Sequence, residues 1–140
     1  MENIFLDSVI KRFTEYKNLG EKTFEQLTEE ELHFRPNEES NSISIIIQHL
    51  HGNMLSRWTN FLTEDGEKSW RKRDDEFEVK KLSKGELLEL WQQGWNVLLQ
   101  SLTNLTKNDL QKTITIRSQP LIVTDAILRQ LAHYCGMWVK

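Results

Sequence analysis

The spacing of apolar side chains is the feature that most constrains how this chain can fold. Apolar residues recur three and four positions apart over four long segments, which is typical of amphipathic helices. Only 6 glycines and 2 prolines interrupt the 140 residues, so few positions break a helix. A chain of this length buries roughly two thirds of the surface that its unfolded form exposes, enough for one core. The sequence therefore predicts a single all-α domain over residues 1–140.

The four predicted helices are separated by long crossovers. Start signals include the Ser- and Asn-rich residues 38–42 and the capping box formed by Ser83 and Glu86. Gly52 falls inside the second helix, where a glycine costs about 1 kcal/mol relative to alanine and usually marks close packing. Long helices joined by long crossovers are typical of a four-helix bundle. We expect these helices over about residues 3–26, 43–63, 83–102 and 124–140.

The two long crossovers differ in composition. Residues 113–116 and 121–123 are rich in β-branched side chains and flank a polar turn, which predicts a short β-ribbon before the last helix. Residues 64–78 are highly charged and contain Gly66, Trp70 and Phe77. We expect this first crossover to be an ordered loop that its aromatic side chains anchor.

Charge and cysteine content exclude several classes of protein. The formal net charge is −3, and Lys and Arg alternate with Asp and Glu, so the basic footprint of a nucleic-acid binder is missing. No apolar run is longer than three residues, as at residues 45–47, far below the roughly 20 residues that a membrane span needs. Cys135 has no partner for an internal disulfide. We expect a cytoplasmic protein that binds neither nucleic acid nor membrane.

The histidines are the strongest candidates for chemistry, because the sequence has no phosphate-binding glycine loop, nucleophile elbow or Cys-x-x-Cys. His49 lies on the apolar stripe of the second helix, and His133 lies on the last helix. Either one alone is more often a buried, hydrogen-bonded residue than a metal ligand. His51 is two positions from His49 and faces elsewhere on the helix, and His33 falls in a polar turn. We expect His33 to be a solvated surface residue and His51 to be more exposed than His49.

Three segments carry a resemblance to a known family: SISIIIQHLHGNMLSRW (residues 42–58), FLTEDGEKSWRKRD (residues 61–74) and AILRQLAHY (residues 126–134). They resemble the DinB-like superfamily, in particular a bacterial branch of uncharacterised function (DUF1572-type). The resemblance implies a four-helix bundle, usually homodimeric. It also implies a divalent metal ion held by one His of the second helix and two His, four residues apart, of the last. Related branches include thiol-dependent transferases and isomerases that use small thiols.

The implied metal site is incomplete in this sequence. His49 and His133 match the pattern, but Met137 stands where the second His of the last helix would be, and a thioether is a poor ligand for Zn²⁺. The resemblance therefore implies a divalent ion (Zn, Ni, Mn or Fe) that is weakly bound or absent. The expected partners are a second copy of the chain and a small thiol or other small substrate. The alternative is a catalytically silent, dimeric helical scaffold or binding module.

The C-terminal residues 135–140 carry a further hypothesis. Met and Trp each have a single codon, so the nucleotide sequence that encodes Met137 and Trp138 is known. Read in the frame that starts one base earlier, this stretch encodes His, Tyr, Asn or Asp, followed by Val and Gly. The resembling family continues with His-Val-Gly at this point. A frameshift near Cys135 would explain the departure from the family pattern, and the alternative is ordinary divergence at a chain end. The last helix would be incomplete in either case.

Two further sets of residues have competing interpretations. Arg57, Arg71, Arg73 and Asp74 would line a pocket mouth that binds an anionic thiol, but Arg57 and Asp74 more often tie a loop to a helix. The tryptophans are expected in the core or at a dimer interface, because two of them have helical i, i+4 spacing. These tryptophans are Trp58, Trp70, Trp91 and Trp95.

Overall fold

The computed structural model describes residues 3–137, and in this part of the chain the structure is mostly helical. The fold contains six α-helices, one 3-10 turn (Lys107–Gln111) and one antiparallel two-stranded sheet within the described residues. The elements are α1 (Ile4–Glu25), α2 (Glu29–Leu32), α3 (Ile43–Trp58), α4 (Arg73–Glu76), α5 (Lys84–Thr103), β1 (Thr113–Ile116), β2 (Gln119–Ile122) and α6 (Val123–Met137).

Side-chain caps begin the helices where the sequence predicts them. The Ser42 side chain accepts a hydrogen bond from the Ile45 backbone, and Ser83 and Glu86 form the expected capping box. The end of the second long helix was predicted wrongly, because α3 ends at Trp58 rather than near residue 63. The backbone leaves the helical region at Thr59, which is extended with ψ 124°, and Asn60 follows with a left-handed φ of 49°, so the helix cannot continue.

The four long helices bury aromatic side chains against one another. The Phe13 ring of α1 lies 6.2, 6.3 and 6.1 Å from the rings of Trp58, Trp95 and Tyr134 on the other three helices, in edge-to-face geometry. Such pairs stabilise a core beyond the area that they bury. Trp70 lies outside this core, because it is 53% exposed, so for this residue a position at a dimer interface stays a prediction. Among the described residues, no helix combines the length and apolar character needed to cross a membrane.

The predicted ribbon is confirmed as the hairpin of β1 and β2. Its two-residue turn, Arg117 and Ser118, has φ values of 53° and 64°, as a type I′ turn requires. The Asp65 carboxylate accepts hydrogen bonds from both turn amides and from the Thr115 hydroxyl, each at 2.8 Å. These bonds hold the pKa of Asp65 well below its usual range, although partial desolvation acts in the opposite direction. The first crossover thereby holds the turn of the ribbon.

Buried polar groups order most of the first crossover, which corrects the prediction of aromatic anchors, although Phe77 also packs on His49. Trp70 and Phe77 are both largely exposed. Instead, the buried ammonium of Lys68 donates to the backbone carbonyls of Ser56 and Asp65 at 2.7 and 2.6 Å. Arg57 of α3 donates to the Gly66 carbonyl. The crossover is therefore attached to α3 through hydrogen bonds to its backbone and side chains.

Candidate functional site

The structure brings His49 of α3 and His133 of α6 together. Their ring centroids are 5.9 Å apart, and the rings meet nearly at right angles. Both line a pocket of about 370 Å³, whose walls come from the loop before α3, from α3 itself, from the first crossover and from α6. The lining residues are Glu39, Ser40, Asn41, Ile46, His49, Phe77, His133 and Met137.

The two histidines have different surroundings. His49 is only 7% exposed, and its Nδ1 atom is 2.9 Å from Oε1 of Glu76. Its ring also packs on Phe77, with ring centroids 4.8 Å apart. His133 is exposed as a residue, and its ring lies beside His49 and Tyr134. The α3 side of the pocket is therefore held by several contacts, whereas the α6 side is open.

Glu76 belongs to an ion-paired set beneath His49. Arg71 donates to both carboxylate oxygens of Glu76, from Nε and from Nη2, at 2.9 Å each. Burial alone would raise the pKa of Glu76, but the hydrogen bonds from His49 and Arg71 outweigh burial and lower it. Glu76 is therefore an ionised carboxylate at neutral pH.

The electrostatics of His133 favour its neutral form. Partial desolvation is the main cause that lowers its pKa, and the positive charges of Arg57 and Arg71 and the neighbouring His49 act in the same direction. A neutral imidazole offers a lone pair, which a protonated ring does not. His133 is thus in the protonation state that a metal ion or a proton donor requires.

The pocket holds few conventional metal donors besides these two rings. Over residues 3–137, no group of three or more His, Cys, Asp or Glu side chains is arranged to hold a metal ion. Met137 lines the same pocket and lies one helical turn after His133. The predicted ligands therefore supply two imidazoles, with a thioether at the third position. Residues 138–140 of the hypothetical frameshifted tail lie outside the described part of the chain.

The other histidines lie away from this pocket. His51 pairs through Nε2 with the Gln93 side chain at 2.7 Å, and it is more exposed than His49. His33 is half-buried rather than fully solvated, because its Nε2 lies 2.8 Å from the backbone carbonyl of Leu82. This contact explains why the prediction of a surface residue was wrong for His33.

The arginines proposed for the pocket mouth are used elsewhere. Arg57, Arg71 and Arg73 all approach Glu67, at 3.6, 3.5 and 3.8 Å, and Arg117 of the ribbon turn joins them at 3.0 Å. None of them lines the pocket between His49 and His133. Asp74 is exposed and its backbone carbonyl accepts the Phe77 amide. For Arg57 the interpretation of a loop tied to a helix is therefore confirmed.

Sequence reasoning missed Glu76 and Phe77 as site residues. Glu76 lies 27 positions from His49 in a charged segment, where a carboxylate is normally solvated. The available signal was Gly52, since a glycine inside a helix marks close packing. In the structure, the group that approaches Gly52 is the Glu76 carboxylate.

Comparison with known proteins identifies a family but supplies no activity. Among curated proteins, none matches this chain. The model of one family, described as a protein of unknown function (DUF1572), matches residues 1–139. The chain therefore belongs to the DUF1572 family of proteins of unknown function.

Proposed function

We propose that this protein is a DinB-like four-helix bundle that binds a divalent metal ion between α3 and α6, through His49 and His133. The observation that carries the proposal is the approach of the two imidazoles to 5.9 Å between ring centroids at the wall of a pocket. Ligands on facing helices are a common way to build a metal site inside a helical bundle. The neutral state favoured for His133 also suits metal binding.

The donor set fits a labile ion better than a structural one. A catalytic zinc ion usually has three protein ligands and one open position, whereas His49 and His133 supply two. When bound, a divalent ion would act as a Lewis acid and lower the pKa of a coordinated water or thiol. The pocket has polar side chains from Ser40 and Asn41 and apolar ones from Ile46 and Phe77. Its volume of about 370 Å³ suits a small thiol or another small substrate, as in metal- and thiol-dependent transferases.

Metal titration of the purified, metal-free protein tests this proposal. We expect weak binding of Zn²⁺, Ni²⁺, Mn²⁺ or Fe²⁺ with one ion per chain, and we expect His49→Ala and His133→Ala each to abolish it. His51→Ala is the matched control, because His51 belongs to the same helix but pairs with Gln93. The proposal fails if the unaltered chain binds none of these ions, or if His51→Ala weakens binding as much as His49→Ala.

A second arm of the same titration restores the missing ligand. Met137→His, combined with a replaced and extended helix after residue 134, would add a third imidazole one turn from His133. A further preorganised imidazole adds several kcal/mol to binding, so the affinity should rise by roughly 100-fold or more. Equal affinity for the original and restored chains would contradict the assigned ligand position. The nucleotide sequence around codon 135 tests the frameshift hypothesis directly.

The alternative is a catalytically silent, dimeric helical scaffold that retains the fold without a working site. It is motivated by exposed apolar side chains such as Ile4, Leu19 and Phe34, some of which a second copy of the chain would bury. Absence of metal binding together with a dimer in light scattering would favour this alternative. Homodimerisation accompanies both candidate functions and does not by itself choose between them.

A further inference from the structure

We propose that Glu76 is a positioning residue, which holds His49 as its Nδ1–H tautomer and leaves Nε2 as the nitrogen available to a ligand in the pocket. The part that concerns a metal ion rests on the proposed function. The tautomer itself is a property of the metal-free chain and can be measured without any ligand.

The hydrogen bonds that Glu76 accepts determine the tautomer of His49. Arg71 donates to both carboxylate oxygens, and Oε1 also lies 2.9 Å from Nδ1 of His49. An ionised carboxylate has no proton to donate, so His49 must donate from Nδ1. In the neutral ring the lone pair then resides on Nε2, at the opposite edge of the imidazole.

Glu76 is itself held in place from two directions. The Arg71 side chain is only 1% exposed, and besides Glu76 it approaches Glu67 at 3.5 Å. The Arg71 amide also bonds to the Lys68 carbonyl at 3.1 Å, which fixes the backbone of the crossover next to α3. A buried, doubly paired guanidinium has little rotational freedom, so it orients the carboxylate that contacts His49.

Gly52 supplies the space that this arrangement needs. It lies three residues after His49 on α3, and a Cβ atom built there would be 1.9 Å from Oε2 and 2.4 Å from Cδ of Glu76. The carboxylate therefore occupies the position that any other side chain at residue 52 would take. On α3, Gly52 thus leaves space for the Glu76 carboxylate one helical turn after His49, the residue that the carboxylate orients.

This arrangement matches the chemistry of histidine ligands in general. A metal-binding imidazole commonly donates its other N–H to a carboxylate, which fixes its tautomer and raises its basicity. Loss of such a partner typically costs about 10- to 100-fold in metal affinity. His133 lacks an equivalent carboxylate bond among the described residues, so the preorganised half of the site is the His49 half.

Nitrogen-15 NMR of the imidazoles, at pH 8 and without metal, tests the positioning role through Glu76→Gln. The variant amide should turn its oxygen toward the Arg71 donors and its NH₂ toward His49. His49 should then change from Nδ1–H to Nε2–H. Since the proton now occupies the ligand nitrogen, Zn²⁺ affinity should fall by about 10- to 100-fold.

The matched control is Glu67→Gln, which removes the other carboxylate beside Arg71 but leaves the contact between Glu76 and His49 intact. This control should retain the Nδ1–H tautomer, and thermal unfolding should verify that both variants fold. The positioning role is overturned if the unaltered chain has Nε2–H at His49, if Glu76→Gln leaves the tautomer unchanged, or if Glu67→Gln changes it equally. If the tautomer changes as expected but the unaltered chain binds no metal, the positioning role stands and the proposed function fails.

Discussion

Gly20 and Gly52 each leave space on a helix that a side chain from another element fills. The two side chains differ in chemistry, since one is an indole and the other a carboxylate. On α1, a Cβ at Gly20 would lie 2.6 Å from two ring carbons of Trp91, which is buried in the aromatic core. On α3, a Cβ at Gly52 would lie 1.9 Å from the Glu76 carboxylate. The first contact joins two long helices through apolar packing, and the second joins a helix to a crossover through a buried charge.

This difference shows that two kinds of force hold the described chain. Apolar packing around Trp91 is insensitive to pH and is hard to displace, because a rigid indole has no alternative space in a dense core. The carboxylate of Glu76 sits at the end of a flexible side chain, and its stabilising bonds depend on its charge. Substitution of each glycine and a decrease in pH should therefore affect the stability of the two regions differently.

The largest effect is expected from Gly20→Ala. The added methyl group must displace the Trp91 ring, and such overpacking typically costs about 1–3 kcal/mol. Alanine recovers up to about 1 kcal/mol through its helix propensity, so the free energy of unfolding should fall by about 1–2 kcal/mol. Urea unfolding measures this. Gly85→Ala is the control, since a Cβ there would lie 3.8 Å from Oγ of Ser83, an ordinary contact, and it should unfold at the same urea concentration as the unaltered chain or a higher one.

A smaller global effect is expected from Gly52→Ala. The methyl group displaces the Glu76 carboxylate from His49 and Arg71, but the helix propensity of alanine offsets much of the loss. We expect the free energy of unfolding to change by about 1 kcal/mol or less. The Nδ1–H signal of His49 should nevertheless weaken in NMR. A stability loss equal to that of Gly20→Ala, with an unchanged His49 signal, would contradict the proposed difference between the regions.

The smallest effect is expected from mild acid. The pKa of Glu76 is lower in the folded chain, so the unfolded chain binds more protons as the pH falls. The stabilisation from Glu76 is thus complete above the unfolded pKa and is lost as the pH drops through the folded one. Between pH 6 and pH 3, the protection of backbone amides against hydrogen exchange, relative to their intrinsic rate at each pH, should fall in residues 64–77 before it falls around Phe13. Glu76→Gln should reduce this loss of protection, and an identical pH response in that variant would argue against a role for Glu76.

The helices and the ribbon follow from short-range rules and were predictable. Ser83 and Glu86 form a capping box within four residues, and β-branched residues on both sides of a polar turn produce the hairpin. Helical i, i+4 spacing predicted the burial of Trp91 and Trp95, and Trp58 is buried with them, whereas Trp70 is exposed. Trp70 lies in a crossover, where no repeating pattern reports the direction of a side chain.

The organisation of the first crossover was not predictable from local pattern. A run of alternating charges normally indicates a solvated surface, yet Lys68, Arg71 and Glu76 are buried in this segment. Their partners are distant in sequence: Glu67 meets Arg117 across 50 positions, and Glu76 meets His49 across 27. Burial of a charge becomes favourable only when such partners are in place.

By itself, the sequence determined the helical class, the caps, the ribbon and the choice of His49 and His133 as candidate ligands. Each of these depends on residues a few positions apart, or on segments that resemble a family. Only the tertiary structure decided that the two imidazoles share one pocket wall and that Glu76 lies in the space left by Gly52. The reason is that a hydrogen bond between distant residues requires the backbone geometry of several elements at once, and no local pattern in the chain encodes that geometry.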